Sequence, residues 1–316
     1  MSGPPEISVV MAVRDAGAAA ETALASVLDQ ADVDLEVVVV DDGSTDDTLL
    51  RLERAAARDP RVRVLRRPAR GLTGALADGC AAARGPFIAR QDAGDRSLPG
   101  RLAGQRDRLR ADARAVLISC GTRYVGPLGE PLFEVGQTDA ISSAAIAELH
   151  ADTFRGPSSH GATMFRADAY RRAGGYREAF AVAQDVDLWL RLVETGGTVL
   201  AEPAVGYEAA ISPRSVSGRA GPEQRRALAL ALACARARRS GGSEAALLAA
   251  AARCRPRRAG SGLRARWREA SALYFIGACI AARDAPAARG YFRRALAAFP
   301  LHPRALTRLI APTVVR

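Results

Sequence analysis

Short apolar runs alternate with amphipathic stretches over the first 90 residues. The apolar runs are rich in β-branched residues and predict strands, whereas the stretches between them have helical spacing. The predicted strands are Ile7–Val13, Leu35–Val40, Arg61–Leu65 and Pro86–Ala89, and the predicted helices are Ala18–Gln30, Asp47–Arg58 and Leu72–Arg84. Because single helices separate successive strands, the pattern predicts an α/β fold with right-handed crossovers and a parallel sheet that carries helices on both faces.

Further along the chain the strand-like runs are separated by loops as well as helices. Val116–Val125, Gly161–Phe165 and Thr198–Ala201 have strand character, and residues 126–129 (Gly-Pro-Leu-Gly) have the composition of a hairpin turn. We therefore expect the parallel sheet to become mixed in this part of the chain.

The pattern changes near Gly221-Pro222, after which no segment has strand character. Glu223–Arg239, Ser243–Arg253, Leu263–Arg283 and Pro286–Phe299 have helical periodicity and are rich in alanine, leucine and arginine. We predict an α/β domain over residues 1–220 and a basic α-helical domain over residues 221–316. Residues 272–300 resemble a tetratricopeptide-type helical hairpin, and the alternative is a helical cap that completes the core.

Charge is unevenly distributed along the 316 residues. The net charge is +11, the chain contains no lysine, and 19 of its 45 basic residues follow residue 220. A basic surface of this kind favours an anionic membrane or a protein partner. Nucleic acid is not expected, because the aromatic and basic residues are not interleaved as in strand-binding proteins.

Composition also indicates where in the cell the protein is located and whether its cysteines are free. No apolar stretch is long enough for a membrane span, and the first residues lack the features of a secretion signal, so we expect a cytoplasmic protein, peripheral at the inner face of the membrane. The five cysteines form no CxxC pair. Buried free thiols are therefore expected in place of zinc ligands or disulfides.

Two acidic clusters lie where predicted strands end. Asp41-Asp42 follows the second strand, and Asp92 and Asp95 follow the fourth. Ligands of parallel sheets bind outside the carboxyl ends of the strands, which favours a binding role for Asp42. Asp92 and Asp95 could hold Mg²⁺ or Mn²⁺, since such cations take oxygen ligands from one or two carboxylates and from substrate phosphates. Helix capping is the alternative interpretation of both clusters.

A third acidic cluster opens the helix predicted at residues 184–192. Asp185 and Asp187 both lie in its first turn, where negative charge stabilises a helix without any further function. That effect accounts for one of the two carboxylates. The other is placed as a catalytic base would be, held rigidly at the start of a packed helix.

These clusters occur in the order and context of a known enzyme family. The chain resembles a family 2 glycosyltransferase of the GT-A fold over about residues 6–219. The matching segments are residues 7–13, 39–46, 85–95, 160–166, 173–176 and 184–191.

The resemblance implies a role for each matching residue. Asp42 would bind the base of a nucleoside diphosphate sugar, with Ala12, Val13 and Arg14 lining it, and Asp92 would contact both the ribose and a divalent cation. Asp185 would remove the proton of the acceptor hydroxyl, so that transfer is a single inverting displacement at the anomeric carbon. The acceptor would be a glycan or a lipid-linked glycan of cell-surface polysaccharide or glycolipid synthesis.

The chain departs from the family pattern at two positions that bear on the metal. Gly94 occupies the third position of the family's Asp-X-Asp motif, and Ser212 stands where a histidine is frequent. We therefore expect an active enzyme whose Mn²⁺ or Mg²⁺, held by Asp92 and Asp95, is weakly bound. The alternative is a catalytically silent relative that binds nucleotide sugars and acts as an interaction protein through its helical domain.

The sequence offers less specific candidates for acceptor or phosphate binding. His160, Asp187 and Arg191 lie in or beside matching segments, although a structural role for His160 is equally compatible with its setting. A phosphatase of the haloacid dehalogenase type is disfavoured because the acids at 41 and 42 are adjacent. A dinucleotide-dependent dehydrogenase is disfavoured because no GxGxxG follows the first strand.

Overall fold

The computed structural model describes residues 3–136, 156–211, 216–255 and 262–310, with the side chains of 216–220 and 310 left aside. Its strands are β1 (Ile7–Val13), β2 (Leu35–Asp42), β3 (Val62–Arg67), β4 (Phe87–Asp92), β5 (Arg96–Ser97), β6 (Ala115–Val125), β7 (Pro131–Val135), β8 (Thr163–Arg166) and β9 (Thr198–Ala210). Its helices are α1 (Ala18–Leu28), α2 (Thr48–Arg58), α3 (Leu72–Ala82), α4 (Arg101–Ala111), α5 (Ala167–Arg172), α6 (Gln184–Glu194), α7 (Val216–Arg239), α8 (Ala245–Ala251), α9 (Leu263–Ile280), α10 (Ala285–Ala298) and α11 (Pro303–Ile310).

The described strands form one nine-stranded sheet in the order β3-β2-β1-β4-β8-β6-β9-β5, and β7 pairs with β6. β1, β2, β3 and β4 are mutually parallel, as the alternation of strands and helices predicts. β8 lies antiparallel between β4 and β6, so β4 and β6 run in the same direction. The predicted mixed sheet is confirmed.

Helices cover both faces of the sheet, because its central strands are apolar on both sides. On one face, α1, α2 and α4 pack against Ile7, Val9 and Met11 of β1. On the other face, α3, α6, α7 and α8 pack around Val10, Ile88 and Leu117. A sheet enclosed in this way positions its carboxyl edge rigidly for binding.

The helices after residue 215 belong to two different hydrophobic clusters. Ala231, Leu232 and Ala235 of α7 join the core beneath the sheet. In contrast, α9, α10 and α11 pack on one another and on Leu132 of β7. α7 is kinked at Gly221, whose backbone (φ 20°, ψ −103°) is not helical. Because residues 231–235 lie after this kink, packing with the sheet core extends past the predicted domain boundary. The boundary itself stays a prediction, as does the tetratricopeptide-type character of the α9–α10 hairpin.

Several elements differ from the expected bounds. β2 and β4 extend two and three residues further than their apolar runs, through the carboxylates at their ends. β9 continues to Ala210 because its second half pairs with β5 and with the end of β6. The short helices α5 and α11 were not expected from the pattern. The hairpin turn at residues 126–129 is confirmed, with Gly129 at φ 80°.

The cysteines are free thiols, as predicted. Cys80, Cys120, Cys234 and Cys254 are buried, and Cys279 is half-buried. None of the described helices combines the length and the apolar character that a membrane span requires.

Candidate active site

The carboxyl ends of β2 and β4 lie on either side of the end of β1. In the strand register Ala12 is paired with Val40 and with Asp92, and Val13 is paired with Asp41. Strands in a sheet are spaced by about 4.8 Å, so the acidic ends of β2 and β4 are about 10 Å apart. The structure therefore places Ala12, Val13, Asp42 and Asp92 along one edge of the sheet.

Asp42 is buried at the end of β2 and binds the loop that precedes α3. Its Oδ1 accepts a hydrogen bond of 2.7 Å from the amide of Arg70, and both of its oxygens accept from the amide of Gly71, at 3.1 and 3.0 Å. Asp42 thus fixes the backbone of this loop. A ligand at the same carboxylate would share it with these two amides.

Arg14 lies just beyond β1 with half of its side chain exposed. One guanidinium nitrogen is 4.0 Å from Oδ2 of Asp42, and Nε is 3.7 Å from Oδ2 of Asp15. Both distances are long for ion pairs, and the Asp15 side chain is exposed. The Arg14 guanidinium is therefore weakly held. It is free to rearrange toward a ligand at this edge.

Asp92 ends β4 beside a buried arginine. Its Oδ1 accepts a hydrogen bond of 2.9 Å from Arg90, whose side chain is fully buried and also donates to the carbonyl oxygen of Val10. The amide of Asp92 donates to the Tyr207 hydroxyl at 3.1 Å. The Asp92 side chain itself is 37% exposed, so a ligand at this edge can reach it.

Asp95 lies in the turn after β4 and shares the surroundings of Asp92. Its amide donates to the carbonyl oxygen of Asp92 at 3.1 Å, and its Oδ1 accepts from the amide of Ala210 at 3.0 Å. Burial, together with the negative charge of Asp92, raises the pKa of Asp95 to about 7. The negative charge of Asp92 thus disfavours the charged form of Asp95, and a cation bound beside them would stabilise that form.

Asp185 lies in the first turn of α6, within reach of the charge of Asp92. The residue before this helix turn, Ala183, has left-handed backbone at φ 59°, and Oδ1 of Asp185 accepts from the amide of Val186 at 2.9 Å. Burial raises the pKa of Asp185, and the nearby charge of Asp92 adds to this effect. The structure thus places Asp185 near Asp92, and a carboxylate with a raised pKa is a stronger base.

The donor set fits a weakly held divalent cation. Asp92 and Asp95 would supply oxygen ligands, and a hard cation would complete its shell with substrate phosphates and water. Among the described residues, no group of three or more histidine, cysteine or acidic side chains is arranged to hold a metal ion by itself. Gly94 adds no carboxylate, and Ser212 lies outside the described residues.

His160 is engaged by aromatic neighbours. Its Nε2 lies 2.7 Å from the Tyr176 hydroxyl, and its ring meets that of Trp189 edge-on at 6.2 Å between centroids. Burial lowers the pKa of His160 well below 6.5, and the charge of Arg90 adds to this effect. The contacts support a neutral, structural histidine, and the buried Trp189 belongs to the core.

Asp187 and Arg191 lie in an ion-pair network between α6 and the helices that follow. Asp187 is fully buried, and its Oδ2 accepts from Arg177 Nε at 3.0 Å and from Arg191 at 2.7 Å. Arg177 also pairs with Glu244 at 2.9 Å, which in turn binds Arg238. These partners favour a structural role for Asp187 and Arg191, and their part in acceptor or phosphate binding stays a prediction.

Two residues of the site were assigned no role from the sequence. Arg90 could have been found, because a charge inside a buried strand has to be paired. Tyr207 gave no local signal, since it reaches Asp92 across 115 residues. Its hydroxyl needs the space left by Gly161, where an added Cβ would lie 1.9 Å from that oxygen. Asp41 keeps one buried oxygen without a hydrogen-bond partner among the described residues.

The architecture agrees with comparisons to known proteins. The model of the family described as Glycosyl transferase family 2 matches residues 8–170, just over half of the chain. The chain belongs to this family.

The chain is similar to several named bacterial proteins. The chain is 30% identical to EpsE of Bacillus subtilis (strain 168) over 200 residues, which are 62% of this chain and 69% of that protein. It is 32% identical to the succinoglycan biosynthesis protein ExoO of Rhizobium meliloti (strain 1021) over 223 residues, covering 67% and 63%. It is 30% identical to the chondroitin synthase of Escherichia coli over 176 residues, which span only 24% of that synthase.

Solved structures confirm the predicted GT-A fold. The mannosyltransferase PcManGT from Pyrobaculum calidifontis, in complex with GDP-Man and Mn²⁺, has a TM-score of 0.57 at 22% identity, covering 97% of this chain and 83% of that one. TarS 1–349 of S. aureus in complex with UDP-GlcNAc has a TM-score of 0.58 at 16% identity, covering 96% and 89%. At these identities the likeness establishes the fold.

Proposed function

We propose that this chain is an inverting glycosyltransferase of polysaccharide or glycolipid synthesis that uses a nucleoside diphosphate sugar. The single observation that carries the proposal is that Asp185, in the first turn of α6, lies close enough to Asp92 at the end of β4 for the two charges to interact. The names of ExoO and the chondroitin synthase support the polysaccharide context, and the nucleotide-sugar complexes of PcManGT and TarS support the donor class.

The donor would lie along the edge from β2 to β4. Asp42 and Arg14 would contact the base, Ala12 and Val13 would line it, and Asp92 would contact the ribose. Mn²⁺ or Mg²⁺ held by Asp92 and Asp95 would neutralise charge on the departing diphosphate. This length of edge, about 10 Å from Asp42 to Asp92, suits an extended nucleotide better than a small sugar.

The chemical step would be carried by Asp185. Its carboxylate accepts the proton of an acceptor hydroxyl while that oxygen attacks the anomeric carbon, and the bond from this carbon to the diphosphate oxygen breaks. The products are the glycosylated acceptor with inverted configuration, the nucleoside diphosphate and a protonated Asp185. Burial supports this role, because it raises the pKa of the base.

A donor panel tests both halves of the proposal. We expect UDP, GDP or dTDP to raise the melting temperature of the full chain, more so with Mn²⁺, because a ligand of the folded state stabilises it. Release of nucleoside diphosphate from the matching sugar nucleotide should fall about 100-fold or more in Asp185→Asn. Nucleotide binding without any release would favour the catalytically silent alternative. No binding by any nucleotide would reject both.

Location and partners outside the catalytic edge are further parts of the proposal. We propose a cytoplasmic protein with peripheral contact to an anionic membrane or to a protein partner through residues 221–316. The observation that supports a contact is the excess of arginine in this region.

A further inference from the structure

An exposed apolar surface lies at the start of α9, far along the chain from the catalytic carboxylates. Leu263, Trp267 and Leu301 are 71%, 41% and 76% exposed, although side chains of this type are normally buried. Leu263 and Trp267 are one helical turn apart and so lie on one face of α9. We refer to these three residues as the α9 apolar surface.

The turn between α10 and α11 is held against this part of α9. The Trp267 ring meets Phe299 edge-on at 5.2 Å and lies 4.8 Å from the His302 ring. Nε of Arg266 donates to the carbonyl oxygen of Ala298 at 2.8 Å. Leu301 therefore projects from a turn that packing fixes beside Trp267, and the three exposed side chains belong to one rigid part of the molecule.

The charge around this surface is mostly positive. Residues 263–269 and 299–310 contain five arginines and a single acidic residue, Glu269. Arg264, Arg266, Arg304 and Arg308 are exposed. A partner that fits has to be anionic and must accept apolar side chains beside its charges.

We propose that the α9 apolar surface binds an anionic phospholipid bilayer, with Trp267, Leu263 and Leu301 in the interfacial layer and the arginines at the headgroups. Tryptophan suits this layer because its ring is apolar and its N–H is polar. Binding of this kind depends on buried apolar area together with attraction to anionic lipid. The bilayer matches both properties at once. The proposal rests on the membrane contact proposed above for residues 221–316 and is independent of the proposed catalytic step.

Vesicle binding by the full chain tests this proposal. The probes are large unilamellar vesicles of phosphatidylcholine alone and of phosphatidylcholine with 30% phosphatidylglycerol. We expect co-sedimentation with the anionic vesicles only, weakened by salt, and a blue shift of tryptophan fluorescence. The shift reports on Trp267, because the other tryptophan, Trp189, is already buried.

Variants locate the contact. In Leu263→Ser/Trp267→Ser/Leu301→Ser the bound fraction should fall at least tenfold. Circular dichroism should show that this variant stays folded, although loss of the Trp267 contacts with Phe299 and His302 lowers its melting temperature. Arg264→Gln/Arg304→Gln should lose the preference for anionic vesicles. Leu128→Ser, at an 80% exposed leucine of the β6–β7 turn, is the matched control and should bind as the original chain does.

Three results would overturn the proposal. One is the absence of binding to either vesicle type, and another is equal binding by the triple serine variant. The third is self-association of the full chain, without vesicle binding, that the triple variant abolishes, since this would identify the surface as a contact between proteins.

Discussion

The acidic turn after β4 contains Gly94 between Asp92 and Asp95, and glycine offers no side-chain ligand to a metal. A Cβ added at Gly94 would meet no atom within 4 Å, so a larger side chain fits there without displacing a neighbour. Packing therefore does not exclude an aspartate at residue 94.

Gly94→Asp should strengthen divalent cation binding. A third carboxylate between Asp92 and Asp95 adds an oxygen ligand and negative charge, both of which favour Mn²⁺. Thermal shift measured in a Mn²⁺ titration, with the bound nucleoside diphosphate present, should reach its midpoint at a lower Mn²⁺ concentration. Gly104→Asp adds the same charge at another open glycine and should leave the midpoint unchanged. An unchanged midpoint in Gly94→Asp would argue against a cation at this turn.

His160 should make stability depend on pH. Burial lowers its pKa well below 6.5, so the unfolded chain takes up a proton near pH 6.5 whereas the folded protein does not. The stabilisation is fully present above pH 6.5 and is lost as the pH falls toward the lowered pKa, at up to about 1.4 kcal/mol per pH unit. Urea unfolding between pH 7.5 and 5 should therefore show a steeper loss in the original chain than in His160→Gln.

The Tyr176→Phe variant provides the control for this measurement. It removes the Tyr176 hydroxyl that contacts His160 but keeps the His160 imidazole, so the steep pH dependence of stability should persist. Parallel curves for the original chain and His160→Gln would contradict a lowered pKa at this residue.

At the scale of elements, α6 is held by charge as well as by apolar packing. Its fully buried Asp187 joins Arg177 to Arg191, and Arg177 continues to Glu244 at the start of α8. The helix that carries Asp185 is therefore connected to the helices after residue 215 through a chain of ion pairs. Such a connection restricts the orientation of α6 and with it the position of the proposed base.

Asp187→Asn should destabilise the fold strongly. Removal of one partner from a buried ion pair leaves uncompensated charge and costs about 3–5 kcal/mol. The free energy of unfolding in urea measures this loss. The control is Asp168→Asn, which breaks an exposed pair with Arg172 whose side chains are both 54% exposed, and it should cost less than about 1 kcal/mol. Equal effects in the two variants would show that the buried network does not stabilise α6.

At the scale of the whole molecule, the helices after residue 215 are divided between two cores. α7 and α8 pack beneath the sheet, whereas α9, α10 and α11 form a cluster of their own that contacts the hairpin through Leu132. Removal of the second group would expose little of the sheet core, but removal of both would uncover it.

Truncated chains should behave accordingly. A chain of residues 1–261 should unfold cooperatively on heating and still bind nucleotide, because the core around α7 and α8 is retained. A chain of residues 1–220 should neither unfold cooperatively nor bind nucleotide, because it lacks Ala231, Leu232 and Glu244. Circular dichroism and thermal shift with nucleotide distinguish the two. Cooperative unfolding and nucleotide binding by the shorter chain would support an independent domain that ends at residue 220.

The sequence by itself determined the elements of the first half, the hairpin turn and the acidic ends of β2 and β4. These features are local, because hydrophobic periodicity and turn residues act over a few positions. The family motifs likewise located Asp42, Asp92 and Asp185 as candidates. The roles of these residues stay predictions.

Only the tertiary structure decided which side chains meet. It brought Asp185 close to Asp92, placed the Tyr207 hydroxyl on the amide of Asp92 and paired Asp187 with Arg177. It also extended β9 by pairing its second half with β6, and it assigned α7 to the sheet core. These outcomes depend on contacts between residues far apart in the chain, and no local pattern encodes them because their free energy arises only when the packed elements exclude water.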